Sequence, residues 1–187
     1  MIDLLGYFGW TMLLAGFSHL FARGFQLTPT SHARLWLIFA GLVLLPIGGG
    51  NLVYLFRGVL GDLSMAMVVL LIISNYQQIE FNRYPECHPF LSLAVVLLLA
   101  MLYLSTLGYL QVDLYAIGYQ PGWMLAGLFL MLAVAWKLCR VQALAWLFGI
   151  IYFATDATPS KNLWDALADP FLFFWHLKNL IYTCFIR

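Results

Sequence analysis

The sequence predicts an all-α, polytopic transmembrane helical bundle of six spans with a seventh at the C-terminus. Three observations carry this. Of 187 residues, 64% are hydrophobic and only 9% are charged, whereas a soluble domain carries about 25% charged residues. The apolar residues fall in blocks near the roughly 20 residues that cross a ~30 Å hydrocarbon core as a helix. Short segments holding proline, glycine and most of the charges separate the blocks. A water-soluble fold of this size has too much surface to hide so many apolar side chains. Helices in lipid satisfy their own backbone hydrogen bonds.

The first segment runs from about Asp3 to Ala22. It lacks a basic n-region and a clear cleavage site, and further apolar segments follow it, so it reads as a retained span and not a signal peptide. Arg23 and Arg34 bracket the next loop, which holds Pro29. A second span is expected from about Arg34 to Gly50, kinked at Pro46 and ended by Gly48, Gly49 and Gly50. After a turn near Asn51, a third runs from roughly Tyr54 to Ser74. Residues 75 to 88 form the most polar loop, with Gln77, Gln78, Glu80, Asn82, Arg83 and Glu86. Pro89 suits the first turn of a fourth span, which reaches about Leu110. An acidic and aromatic loop from Gln111 to Gln120 carries Asp113, Tyr115 and Tyr119. Pro121 opens the fifth span, to about Lys137, and Arg140 the sixth, to about Ala154. A loop with Asp156, Pro159 and Lys161 leads to a short segment around Asn162 to Leu167. Asp169 before Pro170 is a cap and first-turn signal for a last helix to about Ile186. No linker, low-complexity tract or repeat divides the chain, so residues 1–187 are expected to form a single integral membrane domain.

Orientation follows from lysine and arginine in the loops. Arg23, Arg34, Arg83, Lys137 and Arg140 fall in the loops after odd-numbered spans, and only Arg57 and Lys161 in the others. The N-terminus is therefore expected outside a bacterial inner (plasma) membrane, and the C-terminus in the cytoplasm if the seventh segment spans. Trp123, Trp164, Tyr115 and Tyr119 would form the outer aromatic belt. The three cysteines, Cys87, Cys139 and Cys184, contain no CxxC and no even framework. A disulfide scaffold is not expected, and all three fall near the reducing side.

Two readings compete for the last segment. It lies on the membrane surface as an amphipathic helix, or it spans with its polar residues facing protein. His176, Asn179 and Thr183 share one helical face, and this stripe is narrow, which favours spanning.

Asp62 is the one acid placed well inside a predicted span. A carboxylate there costs several kcal/mol unless paired or protonated. Gly58 lies on the same face, while Arg57 is five residues away and can snorkel outward. Asp62 sits ~12 Å from the outer end of its helix, and His176 and Lys178 sit ~11 to 14 Å along theirs. Arg57, Asp62, His176 and Lys178 are thus read as an intramembrane polar cluster. Within it Asp62 pairs with Lys178 or His176, as a folding staple or as a proton or substrate site.

No cofactor, metal or catalytic residue is assigned. His19 and His176 are the histidines inside spans, but they fall at opposite ends, which disfavours one haem bridging them. Cys87 with His88 falls short of the roughly four ligands of a zinc site. Asp113, Asp156, Asp165 and Asp169 gather on the predicted outer side, where carboxylates solvate loops and cap helices. There is no phosphate loop, HExxH or CxxC, and no GxSxG. Ser18 and His19 are adjacent, so they cannot face one another as a dyad.

The stretch Leu55-Phe56-Arg57-Gly58-Val59-Leu60-Gly61-Asp62-Leu63-Ser64 resembles a helix in the membrane domains of lipoteichoic-acid-synthase-like and phosphoethanolamine-transferase-like proteins. The resemblance covers about ten residues. The sulfatase-like catalytic domain of those enzymes is not among these residues, so their chemistry is not carried over. Asn162-Leu163-Trp164-Asp165 with Asp169-Pro170 has the look of a motif without matching a family.

A net charge of +1 supplies no basic field for nucleic acid. The expected partners are the lipid bilayer and a membrane protein or a second copy. The sequence leans away from an enzyme and towards a non-catalytic accessory or scaffold subunit of a membrane or cell-envelope complex. The alternatives are a small transporter or channel-like bundle using Asp62, and a membrane enzyme acting on lipid-linked substrate at the outer face through Asp113, Asp165 or Asp169.

Overall fold

The computed structural model describes residues 2–18, 28–46, 50–81, 86–158 and 160–185. His19, Arg23, Gly48, Gly49, Asn82, Arg83, Pro159 and the last two residues, to which the sequence assigned loop, terminus or charge roles, lie outside them. Of the described residues, 79% are helical and none is in a strand. The helices are α1 (Ile2–Gly16), α2 (Pro29–Leu44), α3 (Leu52–Leu60), α4 (Met65–Phe81), α5 (Pro89–Thr106), α6 (Gly122–Leu138), α7 (Arg140–Ala154), α8 (Leu163–Leu167) and α9 (Pro170–Phe185), with a 3₁₀ turn at Ala116–Tyr119. One of them, α5, is long and apolar enough to cross a membrane by length and composition, with 18 residues at a mean hydropathy of 2.1. Most other apolar helices are 15 to 17 residues long.

The chain divides into two compact units, one of Met1–Leu63 with Leu70–Pro85 and the other of Ser64–Val69 with Glu86–Arg187. In the first, α1 packs against α2 and α3. The second helix differs from expectation at both ends. It starts at Pro29, because Thr28 is extended and its hydroxyl accepts the Ser31 amide at 3.4 Å, a side-chain cap followed by a proline in the first turn. It stops at Leu44 and is not kinked at Pro46, because a residue before proline is driven out of the helical region and Leu45 is already extended (ψ 137°).

The expected span from Tyr54 to Ser74 is two helices. Asn51 caps α3, its side chain accepting the Tyr54 amide at 2.8 Å. Gly61, at φ 79°, ends it, in the left-handed conformation that glycine adopts without a Cβ penalty. Ser64 then restarts the chain as a helix, its hydroxyl accepting the Met67 amide at 3.1 Å. The region expected as a polar loop from residue 75 is helical as far as Phe81.

In the second unit α5 and α9 pack together and run antiparallel. Ser92 near the start of α5 meets His176 mid-way along α9, and Tyr103 near the end of α5 meets Phe173. The buried face of α5 is Leu91, Ser92, Val95, Leu99, Leu102 and Ser105. Its other face, Phe90, Leu93, Leu97, Met101 and Leu104, is exposed. A helix apolar all round has no polar side to give to water. The α6–α7 hairpin turns on the single residue Cys139. Helix α7 also lies against α8, close enough that a Cβ on Gly149 would stand 2.8 Å from the Ala166 carbonyl oxygen.

Cys139 forms a disulfide with Cys87, their Cα atoms 4.7 Å apart, which corrects the expectation that no disulfide staples this chain. Spacing along the chain carried no trace of it, because the two residues are 52 apart in sequence and only the return of α6 to the start of α5 joins them. The neighbouring backbone is joined as well, the His88 amide donating to the Leu138 carbonyl at 3.3 Å.

Candidate functional site

The four residues read as one polar cluster divide between the two units. Arg57 and Asp62 are partners in the first. The Arg57 Nε and Nη2 donate to the two Asp62 carboxylate oxygens at 2.5 and 3.0 Å. This corrects the pairing of Asp62 with His176 or Lys178. The physical reason is the break at Gly61. On a continuous helix residues five apart diverge, but once the helix ends the chain turns and Asp62 reaches back to Arg57.

Helix α1 supports this pair from one side. Gly6 lies so close that a Cβ there would collide with the Asp62 carboxylate and stand 2.8 Å from the Arg57 Nε. The Arg57 guanidinium lies 5.5 Å from the centre of the Tyr7 ring. The Trp10 indole N–H donates to the Gly61 carbonyl at 2.9 Å, satisfying an acceptor that the helix end leaves open. Trp10 also stacks on Phe56, ring centres 5.7 Å apart. A planar guanidinium holding a carboxylate through two nitrogens is the strong, geometrically specific form of ion pair.

In the second unit His176 is fully buried. Its Nδ1 lies 3.2 Å from the Ser92 hydroxyl and its Nε2 2.9 Å from the Gln142 side-chain oxygen. Side chains of α5, α7 and α9 thus meet on one imidazole. The Gln142 oxygen accepts from Nε2, and the Ser92 hydroxyl takes the Nδ1 side, so both ring nitrogens are engaged. The Gln142 Nε2 and, one turn along α9, the Asn179 Nδ2 are buried without a hydrogen-bond partner. A serine beside an imidazole can make a nucleophile, but Ser92 is fully buried here, so the contact joins helices and does not meet a substrate in this conformation. Lys178 is exposed, with its ammonium 5.6 Å from the Trp175 ring centre. It does not share the His176 face.

The acidic residues weighed for an outer-face enzyme, Asp113, Asp165 and Asp169, all accept hydrogen bonds from within the chain. Asp113 accepts the Tyr115 and Ala116 amides, both at 3.0 Å. Asp169 is buried and caps α9, accepting the Leu172 amide at 2.7 Å, and it also accepts the Ser64 amide at 2.8 Å and the Ser64 hydroxyl at 2.6 Å. Asp165 accepts the Tyr115 hydroxyl at 2.8 Å. Partial burial, then that carboxylate and neighbouring Tyr119, push the Tyr115 phenol well above its ordinary range.

The unplaced Asn162-Leu163-Trp164-Asp165 stretch proves to be a clamp on the loop from 110 to 120. Asn162 caps α8 through the Trp164 amide at 2.9 Å and donates to the Tyr115 carbonyl at 3.1 Å. The Trp164 indole donates to the Leu114 carbonyl at 2.9 Å. A short segment around Asn162 to Leu167 was expected from the sequence; its cap was not, nor were its partners, about 50 residues away. Of the predicted aromatic belt, Trp123 stands 94% exposed and Tyr119 is also exposed. Trp164 and Tyr115 are partly covered by the clamp. Compared with family models, with curated proteins and with solved structures, the chain matches none.

Proposed function

We propose that this chain is a multi-pass inner-membrane protein that serves as a non-catalytic accessory or scaffold subunit of a membrane or cell-envelope complex. The observation that supports it most is the double character of its helices. Helix α5 buries one apolar face against its own unit and exposes another, a surface that water does not tolerate in patches above a few hundred Å². Helix α6 goes further. It buries only Leu128 and Ala135, while Phe129, Leu130, Val134 and Trp136 are exposed. Lipid covers such faces, and so does a neighbouring transmembrane helix. In this reading the helices of 15 to 17 residues cross with the help of local bilayer thinning and polar flanks. Helix α9 is the seventh span, its His176 and Asn179 turned to protein. Gentle solubilisation followed by affinity purification tests the proposal. The expected result is a stoichiometric membrane partner or a second copy of the chain; a clean monomer from native membranes would sink it.

A second reading, a small transporter or channel-like bundle using Asp62, is favoured by one observation. The carboxylate sits at a broken helix, the kind of element that carries ion and substrate sites in transporters. Proton-coupled uptake abolished in Asp62→Asn would favour it over the first.

A further inference from the structure

The Cys87–Cys139 bond lies at the end of the bundle where the lysine and arginine count places the cytoplasm. Lys137 and Arg140 flank Cys139 itself. Disulfides that persist as structural staples belong to oxidising compartments, and those that form in the cytosol are transient, catalytic or redox-sensing. Position and bond are reconciled if the bond is made and broken. We propose that Cys87 and Cys139 are a reversible redox pair that exchanges with a glutathione-type or protein disulfide, with Cys139 as the attacking sulfur. This rests on the membrane orientation in the proposed function.

The two cysteines differ in the charges of their sequence neighbours. Cys139 both ends α6, donating its amide to the Ala135 carbonyl at 2.7 Å, and starts α7, its carbonyl accepting the Ala143 amide at 3.1 Å. It also stands between Lys137 and Arg140, both exposed. The two helix ends oppose one another at this residue, so the adjacent cations are what favours a thiolate on Cys139. Cys87 has Glu86 on one side and His88 on the other, a less cationic setting, and it precedes α5 by two residues.

The reaction balances as two exchanges. The Cys139 thiolate attacks one sulfur of the external disulfide, forming a mixed disulfide and releasing one thiolate. The Cys87 thiolate then attacks the Cys139 sulfur, closing Cys87–Cys139 and releasing the second thiolate. Two electrons pass from the pair to the external disulfide, and the two protons lost by the cysteines end on the two thiols released. Once closed, both cysteines are only 5% exposed, so access limits the rate at which an external thiol reopens the bond. The closed bond ties the start of α5 to the α6–α7 turn, and the open pair releases that tie.

The test uses the full chain in its native membrane. Cells are quenched in acid and thiols are tagged with a mass-shifting maleimide. Cys184, exposed and free, is the internal reference. Three tags are expected in unstressed cells, one after a brief thiol-oxidant pulse, and three again on recovery. In Cys87→Ser, the lone Cys139 should form a mixed disulfide with oxidised glutathione several-fold faster than the lone Cys87 of Cys139→Ser. Three tags under all conditions, one tag under all conditions, or equal rates in the two variants each overturn the proposal. Its failure is separated from that of the orientation by Gln120→Cys in a chain lacking the other cysteines. Labelling of that position by an impermeant reagent from outside upholds the orientation whatever the pair does.

Discussion

Arg57–Asp62 and His176 solve the problem of a polar side chain in an apolar protein in opposite ways. The ion pair is local, five residues apart, part-exposed and created by a helix end. The imidazole is remote from its partners, 84 and 34 residues away, fully buried, and held by neutral groups. Charges are costly to bury even when paired, and this pair sits where a broken helix lets its two members meet near the surface of their unit. Neutral amides, hydroxyls and imidazoles are cheaper to bury and bind helices to one another in lipid. The chain uses them where α5, α7 and α9 meet.

This contrast is breakable, and the largest effect should come from the buried side. His176→Ala strands the Ser92 hydroxyl and the Gln142 oxygen and leaves a cavity. The expected loss is about 2 kcal/mol, read as a lower thermal unfolding midpoint in detergent. If Asp62→Asn destabilises as much as His176→Ala, the distinction between local and remote solutions fails.

A smaller effect should come from Gly6→Ala, whose new methyl displaces the ion pair instead of the backbone. About 1 kcal/mol is expected. The cost should not add to that of Asp62→Asn, itself about 0.5 kcal/mol as a part-exposed pair, since both remove the same contact. A double-mutant cycle of unfolding midpoints checks this, and full additivity would show that α1 does not brace the pair.

The smallest effect belongs to the loop clamp. Tyr115 is pushed up by burial first and then by Asp165. Above about pH 10, the ordinary tyrosine value, the unfolded chain gives up this proton while the folded chain keeps it. Its contribution is therefore complete below pH 10 and falls as pH rises. Wild type should lose stability from pH 9 to 12 more steeply than Tyr115→Phe. Parallel slopes would remove Tyr115 from the clamp's energetics.

Much of the fold was legible because it rests on local chemistry. Pro89 opens a helix, Asp169 caps the last one, and Arg140 starts α7. The narrow His176–Asn179 stripe could be read from helical spacing, and both residues are buried on one face. The break at Gly61 was written in residues that stop and start helices, glycine and then serine, but a long apolar run masked it. With it went the partner of Asp62, since depth along an unbroken helix was the wrong coordinate. The His176 partners, the clamp and the Cys87–Cys139 bond stayed hidden for a different reason. Each joins residues that only tertiary packing brings together, and a single sequence carries no periodicity for that.

If the chain spans a membrane as proposed, the joint between α3 and α4 has one more consequence. Nine residues of α3 rise about 13 Å and seventeen of α4 about 25 Å. Neither piece alone matches a ~30 Å hydrocarbon layer and together they exceed it. A rigid rod of that combined length could fit only by leaning over. Two rods joined by four non-helical residues have another adjustment. In a membrane, as proposed, a change of angle at this joint would adjust the pair to the layer's thickness while each helix keeps its own hydrogen bonds.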